Sequence, residues 1–167
     1  MTLETSGPGR WSGSELSNIP LMGGLPKGTP ILTLDGFLPV EYLTPGDRII
    51  TRNSGSTQLC GHVVRTVRVH AVRLAMNALG EARPEQTFDM PADQHILLRG
   101  PKAEALSGQP QTTVPVGFLV NDETIRDLGE VDMVLHHLVF ERMQVVYAGG
   151  LEVLGATGLP QHVRPAA

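Results

Sequence analysis

Apolar residues along this chain come in short runs, most of them four to seven residues long: "PILTL", "DRIIT", "HILLRG", "VPVGFLV", "LHHLVF", "QVVYAG" and "LEVLG". They are rich in Val, Ile and Leu and are bounded by Asp35-Gly36, Pro45-Gly46 and Asn53-Ser54-Gly55. Short β-branched runs between turn residues predict strands. In the longer "HVVRTVRVHAVRL", Val67, Val69 and Ala71 alternate with Arg68, His70 and Val72. A period near two predicts a half-buried strand. Asp35-Gly36 predicts a hairpin, because glycine reaches positive φ without steric cost. Pro45-Gly46 predicts the centre of a type II turn. Helical signals are limited to single turns at "VEYLTPG" and after Pro101 in "KAEAL". The expected fold class is therefore all-β.

Met1 to Gly24 holds five glycines, two prolines and four serines and predicts a flexible leader. A folded domain over 25–154 and a fraying tail over 155–167, "GATGLPQHVRPAA", complete the expected organisation. At 167 residues one domain is the default.

Composition changes this picture by exclusion. Lys plus Arg is 13 against Asp plus Glu 17, a net charge of −4, so neither nucleic acid nor an anionic membrane is an expected partner. One cysteine, Cys60, can supply neither an internal disulfide nor a thiolate cluster for zinc. The N-terminal stretch lacks a positive segment followed by an apolar run, so the reading is a cytoplasmic protein, with non-classical export left open. No phosphate loop or nucleophile elbow occurs, and no cofactor is expected. His136 and His137, adjacent on a strand, would face opposite sides and could not share one metal ion. His62 and His70, about 26 Å apart on a strand, could not either. Asp122, Glu123, Asp127 and Glu130 read as a solvated acidic surface.

Three stretches in order, "KGTPILTLDGFLPVEYLTPGDRIITRNSG", "MPADQHILLRG" with "VPVGFLVND" after it, and "LVFERMQVVYAGGLEV", resemble the Hint domain shared by Hedgehog C-terminal domains and inteins. The likeness is to the form found in many bacterial proteins, and a generic β protein with good turns is the alternative. The resemblance implies two pseudo-symmetric β subdomains and self-cleavage of the peptide bond preceding the domain. Active members begin with Cys or Ser four residues before the Gly-Thr glycine. Here that glycine is Gly28, and the position falls on Gly24, which has no side chain to attack with.

The histidine block implies His95 as the proton donor, with Ala92 where a hydroxyl residue would stand. From the residues alone His95 reads more readily as a packed or hydrogen-bonded strand histidine than as a catalyst, and the resemblance brings the two readings level. The third block implies a second histidine, and Met143 occupies that place, which reads as conversion of a polar site to packing. The intein ending, His-Asn followed by a nucleophile, is missing from "LPQHVRPAA". The expectation is a degenerate Hint domain acting as a structural or binding module for a peptide or its own N-terminal segment. The alternative is residual self-cleavage by an N–O or N–S shift or by His95-assisted hydrolysis.

Overall fold

The computed structural model describes residues 21–155. The expected leader and tail therefore lie largely outside the described residues. Twelve strands follow in chain order: β1 (Leu25–Pro26), β2 (Pro30–Thr33), β3 (Gly36–Pro39), β4 (Arg48–Thr51), β5 (Gly55–Gln58), β6 (Gly61–Leu74), β7 (Phe88–Pro91), β8 (His95–Arg99), β9 (Gln111–Pro115), β10 (Ile125–Val139), β11 (Val145–Ala148) and β12 (Leu151–Leu154). Among the described residues one helix, α1 (Pro101–Ser107), takes the "KAEAL" stretch, and a 3-10 turn takes Val40–Tyr42. The all-β expectation holds. Among the described residues no helix is long and apolar enough to cross a membrane.

The strands form two sheets. One has the order β1-β10-β6-β7; the other runs β3-β2-β4-β11-β12-β8-β9, with β5 added on β4. The longer run "HVVRTVRVHAVRL" forms β6 as expected, and β6 and β10 make a ribbon of 14 and 15 residues, paired from Gly61↔Val139 to Leu74↔Ile125. Its middle alternates as the period-two pattern requires, with Arg68 and His70 exposed and Val67 and Val69 half-buried. A bulge interrupts the register between Asp127 and Gly129, where Gly129 takes φ +71° and its N–H donates to Asp127 Oδ1 at 2.7 Å.

Two turn expectations meet different outcomes. Thr44 to Asp47 closes as predicted, with Asp47 N donating to Thr44 O at 3.0 Å and Gly46 at φ +98°. The β2–β3 hairpin forms, but its loop is Leu34-Asp35 rather than Asp35-Gly36, because Thr33 pairs with Gly36. Gly36 supplies the positive φ of +95° as the first residue of β3. "VPVGFLV" is not one strand either. β9 ends at Pro115 and a 3-10 turn, Val116–Leu119, follows, with Val116 N on Gln94 O at 2.9 Å and Gly117 N on Ala92 O at 2.9 Å. This run folds back onto the histidine block and leaves Phe118 exposed.

The core lies between the sheets. Ile31, Ile49 and Val146 from the larger sheet meet Leu74, Met90 and Leu138 from the smaller one, with Phe140 fully buried among them. Beneath the larger sheet the carboxylate of Glu152, 5% exposed, gathers three guanidinium groups. Arg99 Nη2 lies 2.6 Å and Arg83 Nη1 3.4 Å from Oε2, and Arg52 Nη1 lies 3.3 Å from Oε1. A carboxylate removed from water is tolerable only with such partners.

Candidate functional site

The chain enters the domain through Gly23 and Gly24, which lead into β1 beside β10. Both are buried, and both are held by the loop before β8. Gly23 N donates to Asp93 Oδ1 at 3.2 Å, and Gly24 N donates to Gln94 Oε1 at 2.8 Å. Gln94 also donates from Nε2 to His95 O at 2.8 Å and to Leu154 O at 2.9 Å. One buried side chain thus joins the first strand to the last. Satisfying a carboxamide at both ends in this way orients it firmly.

A cleft of about 450 Å³ opens at this junction and is lined by Gly24, His95, His136, His137 and Met143 together with Met22. Three of the four positions singled out in the sequence therefore meet there. Ala92 does not line it. It packs instead against Gly117, whose ideal Cβ would lie 2.9 Å from the Ala92 Cβ. His95 is half-buried, with Nδ1 3.3 Å from Asp93 O. Met143 departs from the packing expectation: it is 54% exposed at the wall of the cleft, because the chain turns outward between Phe140 and β11.

Gly24 has φ +111°, a region that side chains rarely enter. The space beside it is filled. An ideal Cβ there would lie 2.8 Å from His137 Cε1, 3.1 Å from His137 Nε2 and 3.0 Å from Leu135 Cβ. Neighbouring hydroxyl and thiol groups do not replace a side chain at this point. Thr29 is buried with its Oγ1 donating to Pro26 O at 2.7 Å, and Cys60 is buried and does not line the cleft.

The ribbon supplies the histidines. His62 pairs with Leu138, which sets His136 on its diagonal, and His137 pairs with Val63, which sets Arg65 on its diagonal. Diagonal neighbours on one face are within reach of long side chains. On one face His62 Nε2 lies 2.8 Å from His136 Nδ1, while His62 Nδ1 lies 2.6 Å from Leu43 O. On the other, Arg65 Nε donates to His137 Nε2 at 3.0 Å. The two adjacent histidines do face opposite sides. Burial, and then the positive charge of Arg65, pushes the His137 pKa down to about 4, so this ring is neutral at pH 7. Burial, and next His62, lowers that of His136, with Glu41 opposing. Among the described residues no group of three or more His, Cys, Asp or Glu side chains could hold a metal ion.

Comparison with known proteins places this fold in a family. The Hint domain profile matches residues 24–154, most of the chain. The chain belongs to the Hint domain family. Its matched region begins at Gly24, one of the residues that line the cleft.

Solved structures agree in fold. The Hint domain is similar to a bacterial intein-like domain from Clostridium thermocellum, with a TM-score of 0.53 at 14% identity, over 81% of this chain and 99% of that one. It is similar to a DnaB intein from Synechocystis, at 0.51 and 13% identity over 81% and 99%. The gp41-1 intein gives 0.50 at 12% identity over 80% and 98%. No curated protein matches the sequence.

His62, His136, Gln94 and Arg65 were not legible as parts of one site. His62 and His136 are 74 residues apart, and only the ribbon register brings them together.

Proposed function

We propose that this Hint domain retains the scaffold of self-cleaving domains without the self-cleavage, and that its cleft serves as a binding site for a peptide or for its own N-terminal segment. The observation that carries this reading is Gly24. Acyl transfer from a peptide bond requires a nucleophile within about 1 Å of its productive position. Glycine supplies none, and the imidazole of His137 stands where a side chain would begin. His137 is not a free base either, since its Nε2 accepts from Arg65.

Ala92 and Met143 support the same reading, because neither can donate a proton where the family resemblance implies hydroxyl and imidazole groups. His95 keeps a proton-donating group at the cleft, and it favours the alternative of slow hydrolysis near Gly23 and Gly24. The single, buried Cys60 fits a reducing, cytoplasmic setting.

A carrier protein fused ahead of residue 1 and incubated with excess thiol or hydroxylamine tests the loss of cleavage. The fusion is expected to stay intact over days; release of a carrier-bearing fragment cut at Gly23-Gly24 would refute the reading.

A further inference from the structure

Two hydrogen bonds determine which nitrogen of each ribbon histidine carries its proton. A backbone carbonyl only accepts, so the contact with Leu43 O places the proton of His62 on Nδ1. Neutral His62 then has a bare Nε2, and the 2.8 Å contact with His136 is made by His136 donating from Nδ1. The other nitrogen of His136, Nε2, is left with its lone pair and has no hydrogen-bond partner among the described residues. His136 lines the cleft whereas His62 does not, so this series of bonds links a backbone anchor to a residue of the cleft wall. His137 is arranged the opposite way. Its Nε2 lone pair is taken by Arg65, whose guanidinium only donates.

We infer that His136 Nε2 is a Brønsted base at the cleft, able to activate water for hydrolysis of an ester with a short apolar acyl group. The walls contributed by Leu25, Leu138, Val146 and Val153 suit such a group, and about 450 Å³ admits it. In the step, the oxygen of water bonds to the ester carbonyl carbon as one of its protons passes to His136 Nε2. The carbon–oxygen bond to the alcohol then breaks and the imidazolium returns the proton to the departing oxygen, giving carboxylic acid and alcohol. His62 acts as a positioning residue. Its bare Nε2 holds the His136 ring and accepts more strongly from the imidazolium that forms. Glu41 favours that cation electrostatically, while Lys27 opposes it. Burial keeps the resting ring neutral, as a base must be.

This centre needs no side chain at position 24, so it is independent of self-cleavage. It goes beyond the binding reading given above.

Two measurements on the full chain test it. Two-bond 1H–15N spectra of the wild-type protein at pH 7 should place the proton of His136 on Nδ1 and leave Nε2 unprotonated; a proton on Nε2 overturns the inference without any variant. Hydrolysis of p-nitrophenyl butyrate should exceed that of the same concentration of free imidazole. His136→Gln should lower the rate roughly 100-fold. His62→Gln should lower it less and displace the acid limb of the pH–rate profile. His70→Gln, on the exposed middle of the ribbon, should match wild type. A wild-type rate no higher than imidazole, or one unchanged in His136→Gln, would overturn the assignment. The carrier-fusion assay reads self-cleavage separately, so the two can fail independently.

Discussion

The carboxamide of Gln94 accepts the Gly24 amide proton at 2.8 Å and donates to the Leu154 carbonyl at 2.9 Å, so one side chain links the residue before β1 in one sheet to the end of β12 in the other. Replacing it by Ala leaves the buried Gly24 N–H and the half-buried Leu154 C=O without this partner. Each such group costs about 1–3 kcal/mol. Gln94→Ala is expected to lower the urea midpoint accordingly and to raise hydrogen exchange at Gly24 above that of the ribbon centre. Exchange at Gly24 equal to wild type would show that the clasp is dispensable.

Placing a thiol at position 24 is expected not to produce cleavage. Gly24→Cys must hold φ near +111° and place Cβ 2.8 Å from His137 Cε1. Strain of this kind costs roughly 1–3 kcal/mol before any steric clash is counted. The expected outcome is a destabilised protein that yields no fragment with thiol in intact-mass measurement. A stable Gly24→Cys protein that cleaves would mean that the site is held open for a side chain.

Acid should destabilise the fold through His137. In the unfolded chain this imidazole titrates near 6.5, and in the fold at about 4. Between those values the unfolded chain binds a proton that the fold excludes. Stability is therefore complete above about pH 6.5 and falls as pH drops toward 4, by up to about 1.4 kcal/mol per unit. His136, shifted in the same direction, adds to the slope. Urea midpoints between pH 4 and 7 should flatten in His137→Gln, and an unchanged slope would count against this assignment.

Much of the architecture was written locally in the chain. Pro45-Gly46 sets its turn by φ alone, and the alternation through Val67 and Val69 gives a strand face without reference to any partner. What failed was set by distant contacts. "VPVGFLV" has the apolar content of a strand, but Pro115 and the bonds from Val116 and Gly117 to the histidine block bend it into a 3-10 turn. At the site, Gly24 and His95 were singled out through the resemblance, by counting from Gly28 and from the "MPADQHILLRG" block, and both line one cleft. The His62–His136 pair was not, since a diagonal across two long strands depends on a register that 74 residues of separation leave undefined. Met143 misled because the residue type suggests packing while the local chain direction carries it outward.

Glu152 offers a test of the larger sheet. With Arg52, Arg83 and Arg99 around one carboxylate, Glu152→Ala leaves three cations facing one another. Removing one partner of a buried pair costs about 3–5 kcal/mol. Arg83→Ala, at the longer 3.4 Å contact, should cost under about 1 kcal/mol. Thermal melts of the two variants should therefore differ widely, and similar melting temperatures would contradict the central role given to the carboxylate.

The central claim is that the geometry around Gly24 supports no acyl transfer, and intact-mass spectrometry of the unmodified 167-residue chain tests it most directly. After days at pH 7 with hydroxylamine, which captures any ester or thioester, the account predicts one species at the full-length mass. A fragment ending at Gly23 and carrying a hydroxamate would contradict it.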